Sequence, residues 1–80
     1  MKAGYLVSKW IEKKLSEWSQ QSIINYIAAS VGETVASEIV GYVVELGAGA
    51  AATYVATLLG ASASLAGPIG TIVGFASGWL

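Results

Sequence analysis

The sequence predicts an all-α fold, a compact bundle of about five short helices in a single domain spanning 1–80. Apolar residues recur at helical spacing along nearly the whole chain, and the alternation of a half-buried strand is missing. Glycine and Gly-Pro breaks cut the chain into pieces of helix length. Eighty residues suffice for one modest core, since area scaling gives about 4,500 Å² exposed when folded against about 12,000 Å² for the open chain.

The first helix is predicted from about Tyr5 to Trp18, with Val7, Trp10, Ile11, Leu15 and Trp18 on one stripe and Lys9, Glu12, Lys13 and Ser16 opposite. The polar run Ser19, Gln20, Gln21, Ser22 ends it, and Ser19 or Ser22 supplies an N-cap for the second helix. That helix, about Ser22 to Ser30, buries Ile23, Ile24 and Ile27 and stops at Gly32. A third is expected from about Glu33 to Leu46. Its outer face holds Glu33, Ser37, Glu38, Gly41 and Glu45, and Val35, Ile39, Val43 and Leu46 face inward. The fourth, about Gly49 to Leu59, is apolar all round, the pattern of a helix buried in protein or in lipid. Gly67-Pro68 is the firmest break, and a fifth helix begins near Pro68 and runs to the C-terminus.

Composition narrows the classes of function. Apolar residues make up 55% of the chain and charged residues 11%, against about 45–50% and about 25% in ordinary soluble domains. Without Cys or His there is no disulfide frame, thiol nucleophile or imidazole base, and the usual zinc ligands are missing. A net charge of −1 speaks against nucleic-acid binding, which uses a basic face. Glu33, Glu38 and Glu45 lack a neighbouring base and read as solubilising charge. Gly70 to Gly78 lacks the Lys and Ser/Thr of a phosphate loop. No catalytic residue, metal, cofactor or small-molecule substrate is expected.

The charges are distributed unevenly. All lie between Lys2 and Glu45, so the chain divides into an amphipathic charged part, 1–45, and a charge-free Gly/Ala-rich part, 46–80, read as a helical hairpin. The start of the chain shows no continuous apolar run of secretory type. Two ladders of small residues recur every four positions in the second part, Ala48, Ala52, Ala56 and Gly60, then Gly70, Gly74 and Gly78. Such seams let helix backbones approach closely, either between these two helices or between copies of the chain. Each Gly in a helix costs about 1 kcal/mol relative to Ala, which close contact would have to offset.

Both ends of the chain are apolar, Met1 to Val7 at one and Phe75 to Leu80 at the other. If Leu80 were joined to Met1, the wheel would pass through the junction in phase: Ile72, Val73, Ala76, Trp79, Leu80, Ala3, Trp10, Ile11, Leu15 and Trp18 all fall within about 80° of Val7. Met1 and Leu80 are therefore the candidate head-to-tail junction. Two separate terminal helices of matching phase remain the alternative.

On Trp79-Leu80, Met1 to Val7, and the segment Gly47 to Gly78 with its Thr-Ile-Val-Gly run at 71–74, the chain resembles the circular bacteriocins of Gram-positive bacteria. The resemblance covers most of the chain and is one of composition and pattern. It implies a saposin-like helical globule closed head to tail, secretion, and antimicrobial permeabilisation of target membranes. The chain departs from that family in being slightly acidic rather than cationic, and in carrying its basic cluster near the N-terminus.

The candidate membrane-contact residues are Lys2, Lys9, Lys13, Lys14, Trp10, Trp18 and Trp79. Lys2, Lys9 and Lys13 share a face expected either to meet lipid phosphates at about 1 kcal/mol each, with Glu12 and Glu17 cancelling part of it, or to be a solvated charged face with i,i+3 and i,i+4 pairs. Lys14 falls inside the apolar stripe between Trp10 and Trp18, where it is expected to snorkel along the apolar surface, to contact an indole face or to mark the headgroup boundary. The expected partner is a lipid bilayer, with self-association as a further one. A filament subunit packed through the small-residue ladders, such as a conjugative pilin or a virus coat, is the alternative, and a small membrane-embedded accessory protein is a third.

Overall fold

A computed structural model describes residues 3–60 and 67–79. Among these the chain forms four α-helices and no strand: α1 (Ala3–Lys14), α2 (Gln20–Val31), α3 (Glu33–Leu59) and α4 (Gly67–Ala76), followed by a 3₁₀ turn, Ser77–Trp79. The Cα radius of gyration is 10.8 Å, close to the roughly 11.6 Å expected of a single packed domain this long.

α1 is shorter than its apolar periodicity suggests. Beyond Lys14 the chain tightens into i→i+3 bonds, Ser16 N–H to the Lys13 carbonyl at 3.3 Å and Glu17 N–H to that of Lys14 at 2.8 Å. The Ser16 hydroxyl also donates to the Lys13 carbonyl at 2.8 Å, a side-chain bond that competes with helix continuation. Trp18 therefore leaves the helix and sits in the bend. α2 starts at an N-cap formed by Ser19, whose Oγ accepts from the Ser22 N–H at 3.1 Å. Ile23 and Ile27 are fully buried, and Ile24, expected beside them, is only half-buried.

The expected third and fourth helices are the two arms of a single element. α3 runs through 27 residues, interrupted only by Gly47 at φ 81°, ψ 162°. Gly32, between α2 and α3, has nearly the same backbone, φ 87°, ψ 159°. This region is accessible to essentially glycine alone. In it the chain changes direction within one residue, so the two arms fold over α1 instead of running straight. The inward face of the first arm is Ala36, Ile39, Val40 and Val43. Leu46, expected inside, is 46% exposed, because the kink at the next residue turns the chain away before that position reaches the core.

α1 is the central element, packed mainly on α3, while α4 rests on α1 and α2. The core joins Val7, Trp10 and Ile11 of α1 to the inward faces of α2 and α3, and α4 closes it with Ile69 and Ile72. Each such aliphatic side chain contributes about 1.5–3 kcal/mol on burial. Pro68 sits in the first turn of α4, where its missing N–H is not needed.

Among the described residues the first small-residue ladder packs against α1. Gly4 of α1 is its close partner: a Cβ there would lie 2.6 Å from the Ala52 carbonyl oxygen and 2.7 Å from the Ala56 Cβ. Ala48 is buried and Gly60 terminates α3, its N–H bonded to the Ala56 carbonyl at 3.0 Å. In the second ladder Gly70 is half-buried, and a Cβ at Gly74 or Gly78 would meet nothing within 4 Å.

Two helix starts are capped from a distance. The Glu12 carboxylate of α1 accepts from the Ala48 N–H at 3.2 Å, at the head of the second arm of α3. The Ser30 hydroxyl of α2 accepts from the Ile69 N–H at 3.2 Å, at the head of α4. Unpaired N–H groups at helix starts need such acceptors, and the macrodipole favours a carboxylate there.

Candidate functional site

The bend after α1 builds an aromatic corner. Trp18 meets Trp10 edge-on with centroids 5.7 Å apart, Tyr26 of α2 stacks on Trp10 at 5.6 Å, and Trp18 meets Tyr26 edge-on at 5.7 Å. Both geometries suit the ring quadrupoles, and each pair adds about 0.5–1.5 kcal/mol beyond its buried area. Lys14 lies over the corner, its Nζ 5.0 Å from the Trp18 ring centroid and 5.8 Å from that of Trp10. The same ammonium pairs with Glu17 at 3.8 Å. Lys14 therefore snorkels across the aromatic edge of the core with its charge at the rim.

Of the residues expected to touch a membrane, Trp10 is only 5% exposed and belongs to the core. Trp18 is half-buried, Lys9 pairs with Glu12 at 3.5 Å, and Lys13 is exposed. Lys9 and Lys14 thus each lie beside a carboxylate. Trp79 ends the 3₁₀ turn, with its side chain outside the described part, and Lys2, Met1 and Leu80 lie outside the described residues.

Sequence reasoning missed the site's second half. Beside the aromatic corner a groove of about 560 Å³ is lined by Leu15, Trp18, Val43, Val44, Gly47 and the Glu12 carboxylate. It runs from the corner to the kink of α3. Across the kink Tyr42 and Tyr54 stack face to face, 4.9 Å apart and 14° from parallel. Val44 is 44% exposed and Tyr54 50%. By length and composition α3 could cross a membrane, and only 33% of its most apolar stretch is buried. On α4, Phe75 is 62% exposed. A second, smaller groove of about 400 Å³ between α2 and α3 carries Glu33 and Glu38 among Gln21, Thr34 and Ser37. Among the described residues no three His, Cys, Asp or Glu side chains converge as metal ligands would.

Together these features make a wide, open surface, half apolar and edged by Lys14 and several aromatic rings. No known protein family matches the chain, and no curated protein or solved structure matches it.

Proposed function

We propose that this protein is a secreted, membrane-active helical protein of circular-bacteriocin type that binds target membranes and makes them leaky. It acts by binding and insertion, without catalysis, cofactor or small-molecule substrate. The observation that carries this reading is α3, whose two arms together hold 27 residues apolar enough to enter lipid and only partly covered, with Val44, Leu46 and Tyr54 about half exposed. Exposed apolar area of this kind is uncommon on monomeric soluble proteins unless it meets a partner. Lys14 over the Trp10–Trp18 edge suits a headgroup boundary, where aromatic rings and long cationic side chains gather. Because net charge is −1 and Lys9 and Lys14 already pair with Glu12 and Glu17, apolar contact and not attraction to anionic lipid dominates binding.

The finer fold belongs to the same reading. The two arms of α3 count as separate helices in a five-helix ring, and a peptide bond from Leu80 to Met1 continues the 3₁₀ turn into α1. Packing of α4 on α1 supports that closure. An intact mass lighter than the linear chain by one water is the expected result, and the full linear mass would refute it.

The functional test is dye release from phosphatidylcholine vesicles, with and without phosphatidylglycerol. Release from both, little changed by salt, is expected. Lys14→Glu should suppress it, since the variant places a second carboxylate beside Glu17 at the lipid boundary. No release by the parent protein would end this reading. One observation favours a filament subunit instead: at Gly74 of α4 and Gly78 of the 3₁₀ turn an added Cβ would meet nothing within 4 Å among the described residues, beside the exposed Phe75. Filaments in the electron microscope without vesicle leakage would decide for it.

A further inference from the structure

We propose that α3 is the element that crosses the bilayer, and that it does so as one continuous helix formed by unbending at Gly47. The inference rests on the membrane-active reading and names the segment and the state that perform it.

Length is the first argument. At 1.5 Å per residue the arms 33–46 and 48–59 measure about 21 Å and about 18 Å, and α3 made straight measures about 40 Å. The hydrocarbon core of a bilayer is about 30 Å thick. Neither arm spans it and the joined helix does. The folded molecule measures only 26 × 25 × 20 Å, so a straight α3 cannot exist inside the compact state. Unbending and unpacking are one event.

The second argument is that the bend is held by contacts that have no role in a straight helix. Gly47 is the sole residue of α3 with non-helical backbone angles. The Glu12 carboxylate satisfies the Ala48 N–H, a donor that a continuous helix would pair with the carbonyl four residues earlier, that of Val44. Tyr42 and Tyr54 stack at 4.9 Å, whereas positions twelve apart on a straight helix are separated by about 18 Å. Gly47 itself is hardly touched, since the only atom near an added Cβ is Glu12 Oε2 at 3.8 Å. The residue serves the bend by its backbone conformation alone, so a side chain placed there acts on the bent–straight balance with little steric interference.

The third argument is what becomes of the buried face. Ile39, Val40, Val43, Ala51, Val55 and Leu59 are covered by protein in the bent form. Lipid tails are as apolar as these side chains, so exchanging one environment for the other leaves their burial intact. The segment 39–59 then fits the hydrocarbon, with Glu33 and Glu38 in the headgroup layer. Glu45, exposed in the compact form, lies about 9 Å inside that segment and opposes insertion.

The test places spin labels on the exposed positions of the double variant Thr34→Cys/Thr57→Cys, in a chain with no other cysteine. On phosphatidylcholine–phosphatidylglycerol vesicles the label distance should lengthen to about 35 Å, the straight-helix separation, beyond the 26 Å long axis of the folded molecule. An unchanged short distance while the vesicles leak overturns the unbending and leaves the membrane reading standing. Failure of the unlabelled protein to release dye overturns both. Gly47→Ala, disfavoured in the bent backbone and favoured in the straight helix, should speed release at least tenfold, and slower release by a folded variant would count against the hinge. Glu45→Gln should speed release at least threefold, and an unchanged rate would refute this register of α3 in the bilayer.

Discussion

Adding one methyl group at Gly4 tests whether the small-residue seam is a packing surface. In Gly4→Ala the new Cβ falls 2.6 Å from the Ala52 carbonyl oxygen, 2.7 Å from the Ala56 Cβ and 2.8 Å from the Ala56 nitrogen. All three belong to backbone or to a side chain with no room to rotate, so α1 and the second arm of α3 must separate by most of an ångström to restore ordinary contact. Overpacking of this type costs about 1–3 kcal/mol. Opposing it, Ala is about 1 kcal/mol better than Gly inside a helix, and less than that in the first turn, where Gly4 lies. The net expectation is a loss of about 1–2 kcal/mol, equivalent to a melting temperature lower by roughly 4–16 °C for a domain of this size. Urea unfolding followed by far-UV circular dichroism measures it, with Gly41→Ala as the control. An added Cβ at Gly41 meets nothing within 4 Å, so that variant should gain about 0.5–1 kcal/mol from propensity alone. If Gly4→Ala were as stable as Gly41→Ala, α1 would not lie against Ala52 and Ala56 as described.

Three further outcomes follow from the caps and the bends. Glu12→Ala removes the acceptor of the Ala48 N–H and should cost about 1 kcal/mol, with Glu12→Gln intermediate because the amide oxygen still accepts; chemical denaturation of both variants checks the order. Ser30→Ala should cost a similar amount, about 1 kcal/mol, and hydrogen exchange should show the Ile69 amide losing protection before the core amides. Gly32→Ala has free space around it, so its expected loss of about 1–3 kcal/mol comes from backbone strain alone, visible as a lower unfolding midpoint with unchanged spectra.

Periodicity and the breakers carried the helical class, a serine cap at Ser19 or Ser22, the stop at Gly32 and the start of α4 near Pro68, because each rests on residues adjacent in sequence. The end of α1 escaped that reasoning. Leu15 and Trp18 continue the apolar stripe, yet Ser16 redirects the backbone, and Trp18 meets Trp10 from a bend rather than from the next helical turn. Tyr26 completes the aromatic corner from another helix, and nothing in the local pattern of α2 distinguishes it from any half-buried ring. A break between the third and fourth helices was visible in the glycines at 47 and 49. That it would be a single-residue kink, fastened by Glu12 and by the Tyr42–Tyr54 stack, depends on contacts between distant parts of the chain. Gly4 gave no signal either, since a glycine near a terminus is ordinary until its neighbour is known.

The caps on Ala48 and Ile69 also bear on how the chain is born. Their acceptors, Glu12 and Ser30, precede the donors by 36 and 39 residues, so on the ribosome the charged amino-terminal half emerges first and already holds the groups that finish the later helices. The uncharged half thus follows, in order of synthesis, the two side chains that cap its helices.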